Sequence, residues 1–262
     1  MVIKSPKIII NSPQFKRCAL SKQQPIILIH GAWHAAWCWQ KTAHHLLEAG
    51  YTVLTPDLPG HGIKRVAAKT ITFNAYTQSV IDLIKAQSQP VTLVGHSMAG
   101  LVVSQVAEVM PEAIKSLVYV AAHIPRHGQS LLSIAEQSIS RGLSPHLDFD
   151  RVQGEIKLAA SNEVMSLLYH LCSEEDKAHA RNHLQSQPLQ PFAATVSLSS
   201  RFQNVNKKAI LCRHDRALVL ADQEKMCEDI IDDVLIIDSD HSPFYSASLQ
   251  LARAITQSEE KI

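Results

Sequence analysis

One short stretch constrains this chain more than any other. The apolar, β-branched run Val91-Thr92-Leu93-Val94 leads into Gly95-His96-Ser97-Met98-Ala99-Gly100, and a helical pattern continues from Met98 to Val109. Going directly from a buried strand into a helix takes a sharp turn. Positions 95 and 99 hold only glycine and alanine, and larger side chains there would collide with neighbouring backbone. The spacing Gly-x-Ser-x-small therefore predicts an elbow that holds Ser97 in a strained conformation above the strand, at a helix N-terminus.

The rest of the chain repeats this strand–helix rhythm. Strand-like runs fall at Pro25–Ile29, Tyr51–Leu54, Val91–Val94, Ser116–Val120, Ala209–Cys212 and Val234–Ile237. Their continuous apolar character predicts strands buried on both faces, as in a parallel sheet. Helical patterns span Trp39–Ala49, Phe73–Ala86, Met98–Val109, Ala221–Ile231 and Ala247–Thr256, and Gly50 stands where a helix C-cap glycine belongs. The alternation predicts an α/β fold, a mostly parallel central sheet flanked by helices. Pro125 to Gln203 breaks the rhythm, being long, helix-leaning and without a clear strand. We read residues 125–203 as a helical cap inserted over the C-terminal edge of the sheet. Residues 1–124 and 204–262 form the core of what is one domain overall.

Charge excludes some functions. With 25 basic and 24 acidic residues among 262, the formal net charge is +1, and there is no run of five like charges and no basic stripe. Neither nucleic acid nor an anionic membrane is an expected partner. No segment approaches 18 consecutive apolar residues, and Met1 to Gln14 lacks an apolar stretch of signal-peptide length. Cys18, Cys38, Cys172, Cys212 and Cys227 are odd in number and widely spread, which points to a reducing compartment and a cytoplasmic protein. The oligomeric state stays open, a homodimer included.

A serine hydroxyl is a weak nucleophile and needs a base. Of the 14 histidines, His241 follows the last strand, in a loop that leaves a parallel sheet at the same edge as the elbow. The orienting carboxylate is expected between the two in chain order, and Asp215, just after the strand ending at Cys212, meets that requirement. Asp238 and Asp240 sit too close to His241 to reach it from the right side, and Asp57 reads as a turn residue. For an oxyanion, the Met98 amide at the helix start pairs with the Ala32 amide in His30-Gly31-Ala32-Trp33, where Gly31 frees the loop to turn its amides inward. His30 itself reads as structural. His179 and His183 stand four apart as zinc ligands can, but without H-E-x-x-H or a third ligand they read as a solvated face. No metal is expected, and no nucleotide-binding motif implies a cofactor.

These motifs carry a resemblance. His30-Gly31-Ala32-Trp33-His34-Ala35-Ala36-Trp37-Cys38-Trp39, Asp57-Leu58, Gly95–Gly100, Leu171–Asp176 and Asp240-His241 together resemble the plant methylesterase and hydroxynitrile lyase family and similar bacterial esterases of the α/β-hydrolase fold. The likeness runs from about Pro25 to the C-terminus; Met1 to Gln24 extend beyond the family's usual start. Lyases of the family carry glutamate before the nucleophile and lysine after the histidine, where this chain has His96 and Ser242. The resemblance therefore implies an esterase rather than a lyase. Ala99 departs from the family's usual glycine and narrows the elbow by one methyl.

The expectation is a serine hydrolase acting on a small or medium apolar carboxylic ester through an acyl-enzyme. Trp33, Leu167, Leu168, Phe192 and Phe202 are the expected lining of its substrate pocket. The rivals are a hydroxynitrile lyase and a non-catalytic ligand receptor built on the same fold.

Overall fold

The computed structural model describes residues 24–63 and 66–257. Cys18 and nearly all of the N-terminal extension lie outside them. A six-stranded sheet runs in the order β2-β1-β3-β4-β8-β9, and every neighbouring pair is parallel. Its strands are β1 (Ile26–Ile29), β2 (Val53–Leu54), β3 (Val91–His96), β4 (Ile114–Val120), β8 (Lys207–Cys212) and β9 (Asp233–Ile237). Alternate residues of each central strand feed two separate cores. Ile27, Ile29, Leu93, Leu117, Tyr119 and Leu211 pack with α2 (Phe73–Lys85) and α3 (Ala99–Val109) on one face. Ile26, Leu28, Val94, Val118 and Ile210 pack with α1 (Gln40–Glu48), α10 (Pro243–Ser246) and α11 (Ser248–Thr256) on the other. Each fully buried aliphatic side chain contributes roughly 1.5–3 kcal/mol, so the two-sided apolar runs tie the sheet to both helical layers.

Helix limits follow local chemistry. Thr72 caps α2 by accepting from the Ala75 amide, and Phe73, Tyr76, Thr77, Val80, Ile81 and Ile84 form its buried stripe. Past α1, Gly50 takes φ 91°, a left-handed turn that glycine adopts without strain. Two expectations need correction. Strand β9 is not buried on both faces: it is the sheet's edge, with Val234 43% and Ile236 39% exposed. The helix expected over Ala221–Ile231 is α9 (Leu220–Cys227), and it stops before Asp229, whose φ is 59°.

The insertion between β4 and β8 holds more than helices. It contains α4 (Leu131–Glu136), α5 (Asn162–Tyr169), α6 (Glu174–His183), α7 (Gln190–Ala193) and α8 (Ser200–Gln203). It also builds a small antiparallel sheet from β5 (Leu147–Asp150), β6 (Glu155–Leu158) and β7 (Gln187–Pro188). These strands escaped the sequence reading because they are short, and β5 and β6 are interrupted by charged residues. Only Ile156 of β6 is wholly buried, while Phe149 of β5 is 42% exposed. Gly154, at φ 68°, turns the chain between β5 and β6.

Candidate active site

Residues that follow β1, β3, β4, β8 and β9 line one cavity together with residues of the insertion. At the end of β3, Ser97 has φ 53°, a left-handed conformation that costs a non-glycine residue about 1–3 kcal/mol. Its surroundings enforce the strain. The Ser97 amide donates to the Val120 carbonyl (3.2 Å), and its carbonyl accepts from Gly100 and His123, both at 3.1 Å. Glycine is needed at two contacts around the elbow. A Cβ on Gly95 would come 2.8 Å from a Val103 methyl and 3.0 Å from the Ala99 carbonyl oxygen. A Cβ on Gly31 would lie 2.8 Å from the His96 ring and 3.0 Å from the Ser97 Cβ.

The structure brings Ser97, His241 and Asp215 together. His241 Nε2 lies 3.1 Å from Ser97 Oγ, and its Nδ1 donates to Asp215 Oδ2 at 2.6 Å. The other Asp215 oxygen accepts from the Ala217 and Leu218 amides, each at 2.8 Å, which fixes the carboxylate in a tight turn after β8. The arginines next to Asp215 in sequence bond elsewhere, Arg213 to Asp238 and Arg216 to Ser166. Asp240 is also fully buried, but it faces away from the His241 ring. It accepts from the Leu171 amide (2.8 Å), the Ser242 amide (3.1 Å) and the Ser246 hydroxyl (2.8 Å), joining the cap to the histidine loop.

The Ala32 and Met98 amides form no hydrogen bond among the described residues, and both residues line the same cavity as Ser97 and His241. Histidines hold this region without charge. His30 Nδ1 donates to Gly31 O (2.9 Å) and its Nε2 accepts from the Leu58 amide (3.0 Å). His34 Nδ1 donates to Ala32 O (2.7 Å) and its Nε2 accepts from Tyr169 Oη (2.5 Å). Burial pushes the two rings down to about 4 and about 3, so both are neutral near pH 7. His96 donates from Nε2 to the His241 carbonyl (2.8 Å), and burial also holds its ring well below the ordinary histidine range.

The cavity measures about 540 Å³ and is walled by Trp33, Ile124, Leu131, Leu143, Phe192 and Met226, among others. Trp33 and Phe192 were expected there. Leu167, Leu168 and Phe202 are not among its lining: Leu168 packs in the core beneath α5, Leu167 is half-buried on the same helix, and Phe202 joins the core beside α3. Apolarity alone could not separate pocket from core. Helix α4, which supplies much of the true lining, announced itself only by its cap, Ser130 and Ser133 bonding each other's amides. His123 was missed as well. His179 bonds Tyr245 Oη (2.8 Å) and His183 bonds the His179 carbonyl (2.7 Å), with the two rings stacked at 4.1 Å. Among the described residues no group of three or more His, Cys, Asp or Glu side chains is arranged to hold a metal ion.

A strained serine at a strand–helix elbow, backed by histidine and carboxylate at a parallel sheet's C-terminal edge, defines an α/β-hydrolase. The chain belongs to that family: residues 26–254 match the alpha/beta hydrolase family. It is 27% identical over 256 residues to methylesterase 7 of Arabidopsis thaliana, covering 92% of this chain and 98% of that one. It is 38% identical over 115 residues to the carbendazim hydrolyzing esterase of a Nocardioides species, covering 43% of this chain and 48% of that one. Its fold matches the crystal structure of polyneuridine aldehyde esterase with a TM-score of 0.82 at 23% identity, over 91% of this chain and all of that one.

Proposed function

We propose that this protein is a serine esterase acting on apolar carboxylic esters. The observation that carries the reading is the continuous chain Asp215–His241–Ser97, at 2.6 and 3.1 Å, ending in a cavity that Ala32 and Met98 also line, their amides without a hydrogen bond among the described residues. Ser97 Oγ attacks the ester carbonyl carbon while His241 Nε2 takes its proton. The oxyanion rests on the Ala32 and Met98 amides at the helix N-terminus. The carbon–alkoxy bond breaks, His241 returns the proton to the departing alcohol, and an acyl-Ser97 ester remains. Water, deprotonated by His241, attacks that ester and releases the carboxylic acid and free Ser97. Asp215 holds the imidazole in the tautomer with its proton on Nδ1 and stabilises the imidazolium. None of these steps calls for a metal or organic cofactor.

Esters as the substrate class are supported by the relatives' names, and an apolar acyl or alcohol group by the cavity wall. The lyase reading lacks support at Ser242, a buried hydroxyl where a cation would be needed to receive cyanide. The intact Asp215–His241–Ser97 relay supports turnover over a purely ligand-binding role.

The test is turnover of a graded panel of methyl and p-nitrophenyl esters by wild type and Ser97→Ala. Hydrolysis should fall on the order of a thousand-fold or more in the variant. A serine-directed phosphonate should label wild type once, at Ser97. Undiminished hydrolysis by folded Ser97→Ala would sink the proposal.

A further inference from the structure

His123 follows β4, and nothing in the relay just described employs it. Its backbone is fastened to the elbow from two sides. Its amide donates to the Ser97 carbonyl at 3.1 Å, and α3 packs so closely on its carbonyl that a Cβ on Gly100 would occupy the same space. The position of His123 relative to the nucleophile is therefore set by the same turn that strains Ser97. His123 lines the substrate cavity, and its Nδ1 is buried without a hydrogen-bond partner among the described residues. The accessible ring nitrogen is then Nε2, and the space it reaches is the cavity.

The tautomer follows from what burial tolerates. The Ser97 carbonyl beside the ring already accepts from the Gly100 and His123 amides and makes no hydrogen bond to Nδ1; an orphaned N–H donor deep in a protein is rarer than an unused lone pair, so we assign the lone pair to Nδ1 and the proton to Nε2. Burial pushes the ring down to about 4, which makes it a neutral donor across the physiological range. Two polar side chains of the wall are engaged elsewhere. Gln129 accepts from the Arg126 amide, and Asp222 accepts from the Ser138 hydroxyl and the Ile139 amide. A leucine or phenylalanine would fill the His123 site without a desolvated nitrogen.

We propose that His123 determines specificity within the esterase activity, on which this inference rests: its Nε2–H donates to an oxygen on the acyl or alcohol part of the substrate, so the cavity prefers an oxo, hydroxy or alkoxy ester to the hydrocarbon ester of the same length. A site built to bond a substrate oxygen rejects the analogue lacking it, because its own donor is then left unpaired in the bound complex.

The test compares methyl alkanoates with their 2-, 3- and 4-oxo analogues in wild type, His123→Leu and His123→Gln. The quantity read is the kcat/KM ratio of oxo to plain ester in each protein, divided by that ratio in wild type, so that intrinsic ester reactivity cancels. For at least one oxo position the ratio should fall about ten-fold in His123→Leu. His123→Gln, which keeps a donor, should recover part of it. If the variants fail to fold, the ¹⁵N shift of His123 Nε2 in Ser97→Ala should move with the oxo ester and stay with the plain one. Equal ratios in all three folded proteins, or an unmoved Nε2, overturn the proposal and leave the esterase reading intact. No hydrolysis of any ester by wild type overturns the esterase reading, and this one with it.

Discussion

Trp33 donates its indole N–H to the carbonyl of Ile156, 3.2 Å away on the cap strand β6. The contact matters because Trp33 follows Ala32 directly and sits at φ 62°, a conformation that favours glycine. The cap supplies two further restraints, the Gln185 amide donating to the Trp33 carbonyl (2.9 Å) and the Phe192 ring meeting the indole edge-on at 5.8 Å. Thus residues of the insertion hold the strained residue that follows Ala32 in the cavity wall, the position of the proposed oxyanion donor. Trp33→Phe keeps an aromatic ring but removes the Ile156 bond. We expect kcat to fall several-fold to ten-fold with little change in KM, and affinity for a trifluoromethyl ketone, which forms an oxyanion on Ser97, to fall in parallel. A rise in KM alone would mean that Trp33 only lines the pocket.

Gly31 tests the same loop from below. A Cβ there would press on the His96 ring and the Ser97 Cβ at 2.8 and 3.0 Å. Gly31→Ala should displace the Ala32 amide from the elbow and cost ten-fold to a hundred-fold in kcat, the range of a weakened oxyanion donor. The melting temperature should drop only modestly, because the Ile26–Ile29 strand keeps its partners. Wild-type kcat in this variant would show that the loop relaxes without consequence.

Asp215 and Asp240 are both buried carboxylates near His241, and their neutral amide variants should fail differently. Asp215→Asn should retain the fold and lose about 10³–10⁴ in kcat, since the amide cannot hold the productive imidazole tautomer. Asp240→Asn leaves the imidazole's partner in place but forces an NH₂ group among the Leu171, Ser242 and Ser246 donors. It should lower the urea midpoint, with a smaller effect on kcat. The reverse pattern would assign the relay to Asp240.

The parts of this site that lie at strand ends were legible in the sequence. Ser97, Asp215 and His241 each follow an apolar run whose place in a parallel sheet fixes the edge from which it emerges. The cap was much less legible. Its strands are two to four residues long, two of them interrupted by charges and the third only Gln187-Pro188, so alternation never builds a signal above that of a loop. Which apolar cap residues face the cavity depends on how α4, α5 and α7 dock. Leu168 and Leu131 are therefore indistinguishable in sequence, although only Leu131 lines the cavity. His123 was hidden for another reason: a lone histidine after a strand carries no motif, and its importance comes from the Ser97 carbonyl its amide meets.

The buried histidines make stability depend on pH. Burial lowers His30 to about 4 and His34 to about 3, and holds His61 and His96 well below the ordinary value. Unfolded, each titrates near 6.5. Between these limits the unfolded chain binds protons that the folded protein does not, so stability is complete above about pH 6.5 and is lost as pH falls. Each such histidine removes roughly 1.4 kcal/mol per pH unit within its window, so His30 and His34 alone give a slope of roughly 3 kcal/mol per unit between pH 6 and 5. Urea midpoints from pH 7.5 to 4.5 should be level at first and then fall steeply, well above the range where carboxylates titrate. His34→Gln loses stability at pH 7.5, because the bonds to Ala32 and Tyr169 are disturbed, yet its midpoint should fall less steeply with acid. A wild-type midpoint that stays level from pH 7 to 5 would mean that these rings are charged in the folded protein. The neutral hydrogen-bonding scheme assigned to the Ala32 loop would then be wrong.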